Sequence, residues 1–514
     1  AMGFPGWTID GSDPAQFYAS TAVAREFALA GHGPTLIHVE TMRGCGHAHH
    51  HDDLYLGAPS GNPPGYADKN LLAYWEAKDP LPNHRDQLIS DGVEEQDILR
   101  METEEKSLVD AARLEMEAMP WPAPETVTRG ITSLHDADLK GARLERITSA
   151  SSRIVKDAKV ANGEMAIHFS EERNAWTLGR AIQNGMIAIA ERYGQSTVFM
   201  GEDMEVAGAF GMNIPLRTAG HGDLLLDMPL SEAAIIHAAT GAALGGMRPM
   251  AEIQFGGFAA LAMNALINNA AQLRWRWGAD VPLTVRIPLG AKTRSGPFHA
   301  NMIESWFTND PGLVILFPSC PQDAYDLLVE AAALPDPVLF LEHIGMYGLR
   351  GGKTGWGDSI NQIVDTKTVL SRLDAGDGPK EIGKARIVRG GSDVTIVTWG
   401  AMVHVARHAA ERVAAEGIET EIIDLRTLQP FDADTCVDSV QRTGRLLVLQ
   451  EAQWTGGFAH TISSRIQEEA FWSLEAPPMV VGALDTPVPF APPLEDYTIP
   501  DVDLVARHLR ALIG

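Results

Sequence analysis

At 514 residues the chain is long enough for about three domains of ordinary size, and 45% hydrophobic with 21% charged residues is a globular balance. The 41 basic and 67 acidic side chains leave a formal charge of −26, which argues against a general nucleic-acid binder because such a surface repels a phosphate backbone. Three widely spaced cysteines, Cys45, Cys320 and Cys436, argue against a secreted disulfide framework; with no signal-peptide pattern in "AMGFPGWTIDG" and no apolar run of membrane-spanning length, the chain reads as cytoplasmic and soluble.

After a turn-rich opening, "DPAQFYASTAVAREFALAGHG" repeats apolar positions at helical spacing and stops at Gly31 and Gly33; "PTLIHVE" follows as a strand. "TMRGCGHAHHHDDLYLG" reads as a loop, and helices are expected through "LLAYWEAKD" and "QDILRMETEEKSLVDAARLEMEAM". Residues 1–124 form this first block, and 125–170, polar and without a firm period, read as a connector. In a second block, 171–350, "TLGRAIQNGMIAIAERY" predicts a helix, "STVFMGEDM" a strand ending in acids, and "LLLDMPL" a strand before a small-residue helix. "MRPMAEIQF" predicts a strand, "FAALAMNALINNAAQLRWRWG" one long helix, and "PLTVRIPL", "GLVILFPS" and "PVLFLE" three more strands. A Gly-, Asp- and Lys-rich stretch, 351–388, reads as a linker, and 389–514 repeats the alternation in "DVTIVTWG", "IETEIIDLR", "RLLVLQE" and "PPMVVGALD". Apolar strands alternating with helices mean α/β architecture with doubly wound parallel sheets.

Ligands of such sheets gather outside the carboxyl ends of the strands. Glu202 and Asp203 after "VFM", Glu232 after "LLLDMPL", Gln254 in "AEIQF" and His299 in "SGPFHANMIESWF" fall there. For Glu232 a local reading competes, since an acid in the first turn of a helix complements its dipole and Ser231 is a good cap.

The motifs "GEDM", "MPLSEAA", "MRPMAEIQF", "HANMIESWF", "DPGLVILFPSCPQDA" and "DPVLFLE", in that order, resemble the beta subunit of the thiamine-diphosphate-dependent first component of 2-oxoacid dehydrogenase complexes. "DVTIVTWGAMVHVA", "IIDLRTLQPFD", "QEAQWTGGFAHTISSRIQEEAF" and "DTPVPFAPPLED" resemble that subunit's transketolase-type carboxy-terminal domain. "MGFPGWTIDGSDPAQFY", "GPTLIHVETMRGCGH" and "DPLP" resemble the carboxy-terminal part of the alpha subunit. The resemblance implies alpha and beta parts joined in one chain, an incomplete diphosphate-binding domain before complete pyrimidine-binding and transketolase C-terminal-like domains.

It also implies roles. Glu232, the acid of the "SE" motif, would share a proton with the cofactor's pyrimidine ring nitrogen, which calls for a dry, apolar site; its neighbours Leu230, Ala233 and Ala234 are apolar enough to permit it. Glu202 matches an acidic relay between the two active sites of the dimer, and Phe258 an aromatic beside the pyrimidine. His299 matches a histidine at the substrate end, suited to stabilising the carboxylate or developing enolate and assisting acyl transfer. Arg43 and His47 in "RGCGH" match residues at the mouth of the site, near the diphosphate or the incoming lipoyl arm. The implied reaction is decarboxylation of a 2-oxoacid with reductive acylation of a lipoyl acyltransferase partner, by a homodimer.

Two departures stand out. Where the family has serine-containing residues, this chain has "AHHHDD", which puts phosphoryl control in doubt. His47, His49, His50, His51, Asp52 and Asp53 could chelate a metal, but adjacent residues rarely converge on one ion, and a polar, substrate-sensing loop is the preferred reading. The family's magnesium motif, "GDG" followed about thirty residues later by an asparagine, is absent from residues 1–514. Magnesium ligands are therefore expected in a missing N-terminal segment, and this chain alone is expected to bind thiamine diphosphate poorly. Two rival readings stay open: ketol transfer from a sugar phosphate, as in transketolases, and a docking scaffold without a competent site.

Overall fold

The computed structural model describes residues 4–46, 52–62, 64–120, 132–134, 163, 165–205 and 210–514, in two compact units, Ala1–Pro122 and Ala123–Gly514. In the first unit the expected turn-rich opening is instead a strand, β1 (Gly6–Asp10), paired in parallel with β2 (Leu36–Glu40) in the register Gly6↔Leu36 to Asp10↔Glu40. Between them runs α1 (Pro14–Leu29), whose first turn is fixed by Pro14 and by the Asp13 carboxylate accepting from Gln16 N at 3.1 Å. Its expected end holds, with Gly31 at φ 80°.

Three helices follow: α2 (Lys69–Glu76), α3 (Pro80–Ser90) and α4 (Glu95–Ala118). The sequence reading missed α3 because of its prolines, yet Pro80 occupies the first turn, where no intrahelical donor is needed, and the Asp79 carboxylate accepts from Leu81 N. A single helical turn, Asp52–Tyr55, ends the stretch read as a loop.

The second unit opens its core with α5 (Leu178–Tyr193), capped by Thr177, which buries Leu178, Ile182, Met186 and Ile189 on one face. The strands β3 (Thr197–Gly201), β4 (Leu225–Asp227), β5 (Arg248–Glu252), β6 (Thr284–Leu289), β7 (Val314–Leu316) and β8 (Val338–His343) are parallel, in the spatial order β7-β8-β6-β5-β3-β4. β6 and β8 are buried at every residue, as a sheet covered on both faces requires. Covering helices include α6 (Glu232–Leu244) and α7 (Pro321–Ala333).

The long helix expected over "FAALAMNALINNAAQLRWRWG" is broken: a 3₁₀ segment, Gly256–Ala262, gives way to a π turn, Ala265–Asn269, and a short helix, Leu273–Trp277. The Asn269 amide donates to the Asn264 carbonyl, an alternative to the regular ladder that asparagine offers its own backbone.

Residues 351–388 carry α8 (Lys367–Asp374) and lead into β9 (Arg386–Arg389). β10 (Val394–Thr398), β11 (Thr420–Asp424), β13 (Leu446–Gln453) and β14 (Met479–Ala483) make a smaller sheet in the order β14-β13-β10-β11-β9, with only β9 antiparallel. Its helices are α9 (Met402–Ala414), α10 (Ala433–Thr443), α11 (Phe458–Ala470), α12 (Pro492–Thr498) and α13 (Val502–Ile513).

One strand of this part, β12 (Thr427–Gln429), crosses over and pairs antiparallel with β7, so the larger sheet has seven strands and the two sheets share hydrophobic clusters. Arg426 sits at the crossing with φ 55°, its guanidinium donating to Asp323 at 2.9 Å, Glu381 at 3.1 Å and the Lys384 carbonyl. Among the described residues no helix is long and apolar enough to cross a membrane.

Candidate active site

Parallel strands end together, and their carboxyl ends in the larger sheet bring acids into one place. Glu202 follows β3, Glu252 closes β5 and Glu232 opens α6; all three are buried. Burial pushes the Glu202 carboxyl up from its ordinary value, and the negative charges of Glu232, Asp203 and Glu252 push it the same way. The Gln254 amide donates to the Glu202 carbonyl at 3.4 Å and to Asp203 Oδ2 at 3.3 Å, while Asp203 adopts a left-handed φ of 56°. These strand-end residues thus converge as the sequence placed them.

The local reading of Glu232 fails on one point, because Ser231 makes no side-chain cap. Of its apolar neighbours, Leu230 is 84% exposed and Ala234 exposed, while Ala233 is half-buried and Glu232 itself buried.

Beside the acids stands an aromatic wall. The His299 ring meets Phe255 edge-on with centroids 4.4 Å apart, and Phe258 at 5.7 Å. Phe255 continues to Phe210 at 5.5 Å, and Phe210 to Tyr347 at 5.7 Å. "QFGGF" has two glycines for a steric reason: a Cβ at Gly256 would lie 2.9 Å from the Asn301 carbonyl oxygen, and one at Gly257 would lie 3.1 Å from that of Phe298. Their absence lets the His299 loop dock on the turn that carries Phe255 and Phe258.

Beneath the wall lies a network that the sequence reading missed. Arg286, 1% exposed in the middle of β6, donates two hydrogen bonds to Glu342 on β8 at 2.6 and 2.8 Å and one to Glu252 at 2.6 Å. The Tyr347 hydroxyl donates to Glu342. The signal was available, since "MAEIQ", "TVRIPL" and "LFLEH" each set one charge in a strand otherwise apolar, and such buried charges need partners on neighbouring strands. Glu304, in the same motif as His299, is fully buried; its carboxyl accepts from Trp399 Nε1 at 3.3 Å, and burial pushes it up to about 7.

In the first unit Arg43 lies over the Tyr55 ring at 4.7 Å, with Tyr55 donating to its carbonyl at 3.0 Å. His47, His49, His50 and His51 lie outside the described residues, and no cluster that could hold a metal ion occurs among the described residues.

Residues 1–125 match the family "Dehydrogenase E1 component", 175–348 match "Transketolase, pyrimidine binding domain" and 383–505 match "Transketolase, C-terminal domain". The beta subunit of acetoin:2,6-dichlorophenolindophenol oxidoreductase from Cupriavidus necator is 42% identical over 312 residues, 60% of this chain and 86% of that protein. The chain belongs to the 2-oxoacid dehydrogenase E1 family. Other E1 relatives are the mitochondrial 2-oxoisovalerate dehydrogenase beta subunit of Dictyostelium discoideum, 36% identical over 66% of this chain and 86% of that protein, and the pyruvate dehydrogenase E1 beta subunit of Bacillus subtilis, 37% identical over 58% and 86%.

An E1 family member implies thiamine diphosphate. A buried carboxylate and a cluster of aromatic rings packed edge to face at the same sheet end suit the pyrimidine end of that molecule, which is planar and carries ring nitrogens. The described residues offer no metal-holding cluster for the diphosphate end. The fit seen among the described residues is to the pyrimidine half.

Proposed function

We propose that this chain decarboxylates a 2-oxoacid with thiamine diphosphate and passes the acyl group to the lipoyl group of a partner acyltransferase. The observation that carries the proposal is the convergence of buried Glu232 and Glu202 with Phe255, Phe258 and His299 at the carboxyl ends of the strands. When bound, thiamine diphosphate supplies the nucleophilic carbon and the electron sink for decarboxylation. Glu232 holds and returns a proton at the pyrimidine ring nitrogen. Burial, and then the like charges of Glu232, Asp203 and Glu252, push the Glu202 carboxyl up from its ordinary value, which suits it to a relay of protons within the acid cluster.

Phe255 and Phe258 exclude water from the pyrimidine side and hold the His299 ring edge-on. His299 faces the reacting acid and serves its carboxylate and the acyl transfer. Arg43 and His47 are assigned to anionic groups of cofactor or substrate. Magnesium ligands are assigned to a segment bearing the GDG motif, outside residues 1–514.

A cytoplasmic homodimer is the proposed working form. Its support is the number of large apolar side chains left exposed in the pyrimidine-binding part: Leu226, Leu230, Leu244 and Leu261 are 44%, 84%, 51% and 64% exposed.

The test offers the assembled protein pyruvate, branched 2-oxoacids and xylulose 5-phosphate with a dye acceptor. Dye reduction with a 2-oxoacid supports the proposal, and ketol transfer from the sugar phosphate alone overturns it. Absence of any calorimetric heat with thiamine diphosphate and magnesium overturns it in favour of a docking scaffold.

A further inference from the structure

The loop after β6, Gly290 to Ile303, carries His299, and its own sequence does not settle its shape. It contains Lys292 at φ 71° and Arg294 at φ 63°, left-handed backbone that side-chain-bearing residues rarely adopt. Such conformations persist only where the surroundings over-determine them. Here the surroundings belong to the transketolase C-terminal-like part of the chain, and they grip the loop at three points.

At the first point, the Ala291 amide donates to Glu451 Oε1 at 2.8 Å, while Glu451 Oε2 lies 2.7 Å from His343 Nε2. Second, two consecutive carboxylates of α12 take both cations. Glu495, fully buried, accepts from Lys292 N at 3.0 Å and from the Arg294 guanidinium. Asp496 accepts from Lys292 Nζ at 2.5 Å and from Arg294 Nη1 and Nη2 at 2.9 and 3.1 Å, and Arg294 Nη1 also donates to the Pro492 carbonyl at 3.1 Å. Third, the Phe490 ring lies against Gly296, leaving no room there for a Cβ. Beyond these anchors the loop reaches Phe298 and Asn301, whose carbonyls pack on Gly257 and Gly256 of "QFGGF", and between them His299, whose ring meets Phe255 and Phe258.

We propose that Glu495 and Asp496 are positioning residues for His299: a two-carboxylate clamp on Lys292 and Arg294 by which the C-terminal-like part sets the reach of the catalytic loop. The clamp touches no reacting atom. Its service to the reaction rests on the reading of His299 given above, whereas its hold on the loop does not.

The isosteric Glu495→Gln/Asp496→Asn double variant of the assembled protein tests both. Hydrogen exchange of peptides covering 293–303, measured without cofactor, should quicken at least tenfold while peptides of β6 and β8 keep their protection. Turnover should then fall on the order of 100-fold, as a misplacement of about 1 Å does, with affinity for thiamine diphosphate unchanged. Arg294→Lys, which keeps a charge, should retain more turnover than Arg294→Ala.

Unchanged exchange of the loop in the double variant overturns the clamp. If the buried Glu495 change prevents folding, Arg294→Ala, made at a partly exposed side chain, answers the same question by the same exchange measurement. A His299→Ala variant with full turnover overturns the reading of His299 and leaves the exchange result to judge the clamp alone.

Discussion

Gly256→Ala perturbs the site by one methyl group. Gly256 has no left-handed φ, so alanine is allowed by the backbone and the effect is purely steric. The added carbon would lie 2.9 Å from the Asn301 carbonyl oxygen and 3.0 Å from Leu289 Cβ, where ordinary contact begins near 3.4 Å. Leu289 belongs to a buried strand and cannot retreat, so the His299 loop must move by roughly 0.5 Å, the difference between 3.4 and 2.9 Å. Overpacking of this kind costs about 1–3 kcal/mol, offset by about 0.4–1 kcal/mol from the stiffer unfolded chain. The net destabilisation, up to about 2.6 kcal/mol, should lower the thermal midpoint by no more than about 3 °C, because a unit of this size unfolds with an entropy of about 0.8 kcal/mol/K.

If 1 Å of misplacement costs about 100-fold, half that displacement two residues from His299 should slow turnover on the order of tenfold. Steady-state turnover with saturating 2-oxoacid, beside a thermal scan of the same preparation, reads both. Gly257→Ala, whose methyl would meet the Phe298 oxygen at 3.1 Å, should do less. Turnover of Gly256→Ala within twofold of the parent would refute the reasoning that the glycines exist to seat this loop.

Other substitutions probe the buried charges. Arg286→Met strands Glu252 and Glu342 without their cation and should cost about 3–5 kcal/mol in urea unfolding. Glu304 holds its proton up to about 7 when folded, against 4.5 ordinarily, so its contribution to stability is full below pH 4.5 and lost as the pH rises to about 7. Glu304→Gln, which cannot ionise, should therefore reduce the loss of stability between pH 5 and 8 by about 2–3 kcal/mol, read from unfolding curves at the two values.

The alternation of strand and helix was legible because β6 and β8 are buried on both faces and read as unbroken apolar runs. What escaped was set by contacts between distant segments. β12 is three residues long and acquires its strand character from β7, more than a hundred residues earlier. At the break over Ala265–Asn269 the Asn269 amide bonds the Asn264 carbonyl and the Asn268 amide the Asn264 side chain, a competition which apolar periodicity does not register.

At the candidate site, Glu202, Glu232, Phe258 and His299 were proposed through motifs. Phe255, immediately before the first glycine of "QFGGF", was overlooked although its ring stands between Phe258 and Phe210. Leu230, an apolar near neighbour of the buried Glu232, is itself exposed, because burial is set by the folded sheet end and not by apolar character along the chain.

Replacing Glu232 with glutamine keeps the size and polarity of the side chain and removes only its exchangeable acid proton. Turnover of the assembled protein should fall about 10²–10⁴-fold, the range for loss of a positioned proton donor, while the thermal midpoint and calorimetric affinity for thiamine diphosphate stay near those of the parent. A Glu232→Gln protein that turns over a 2-oxoacid within twofold of the parent would contradict the account.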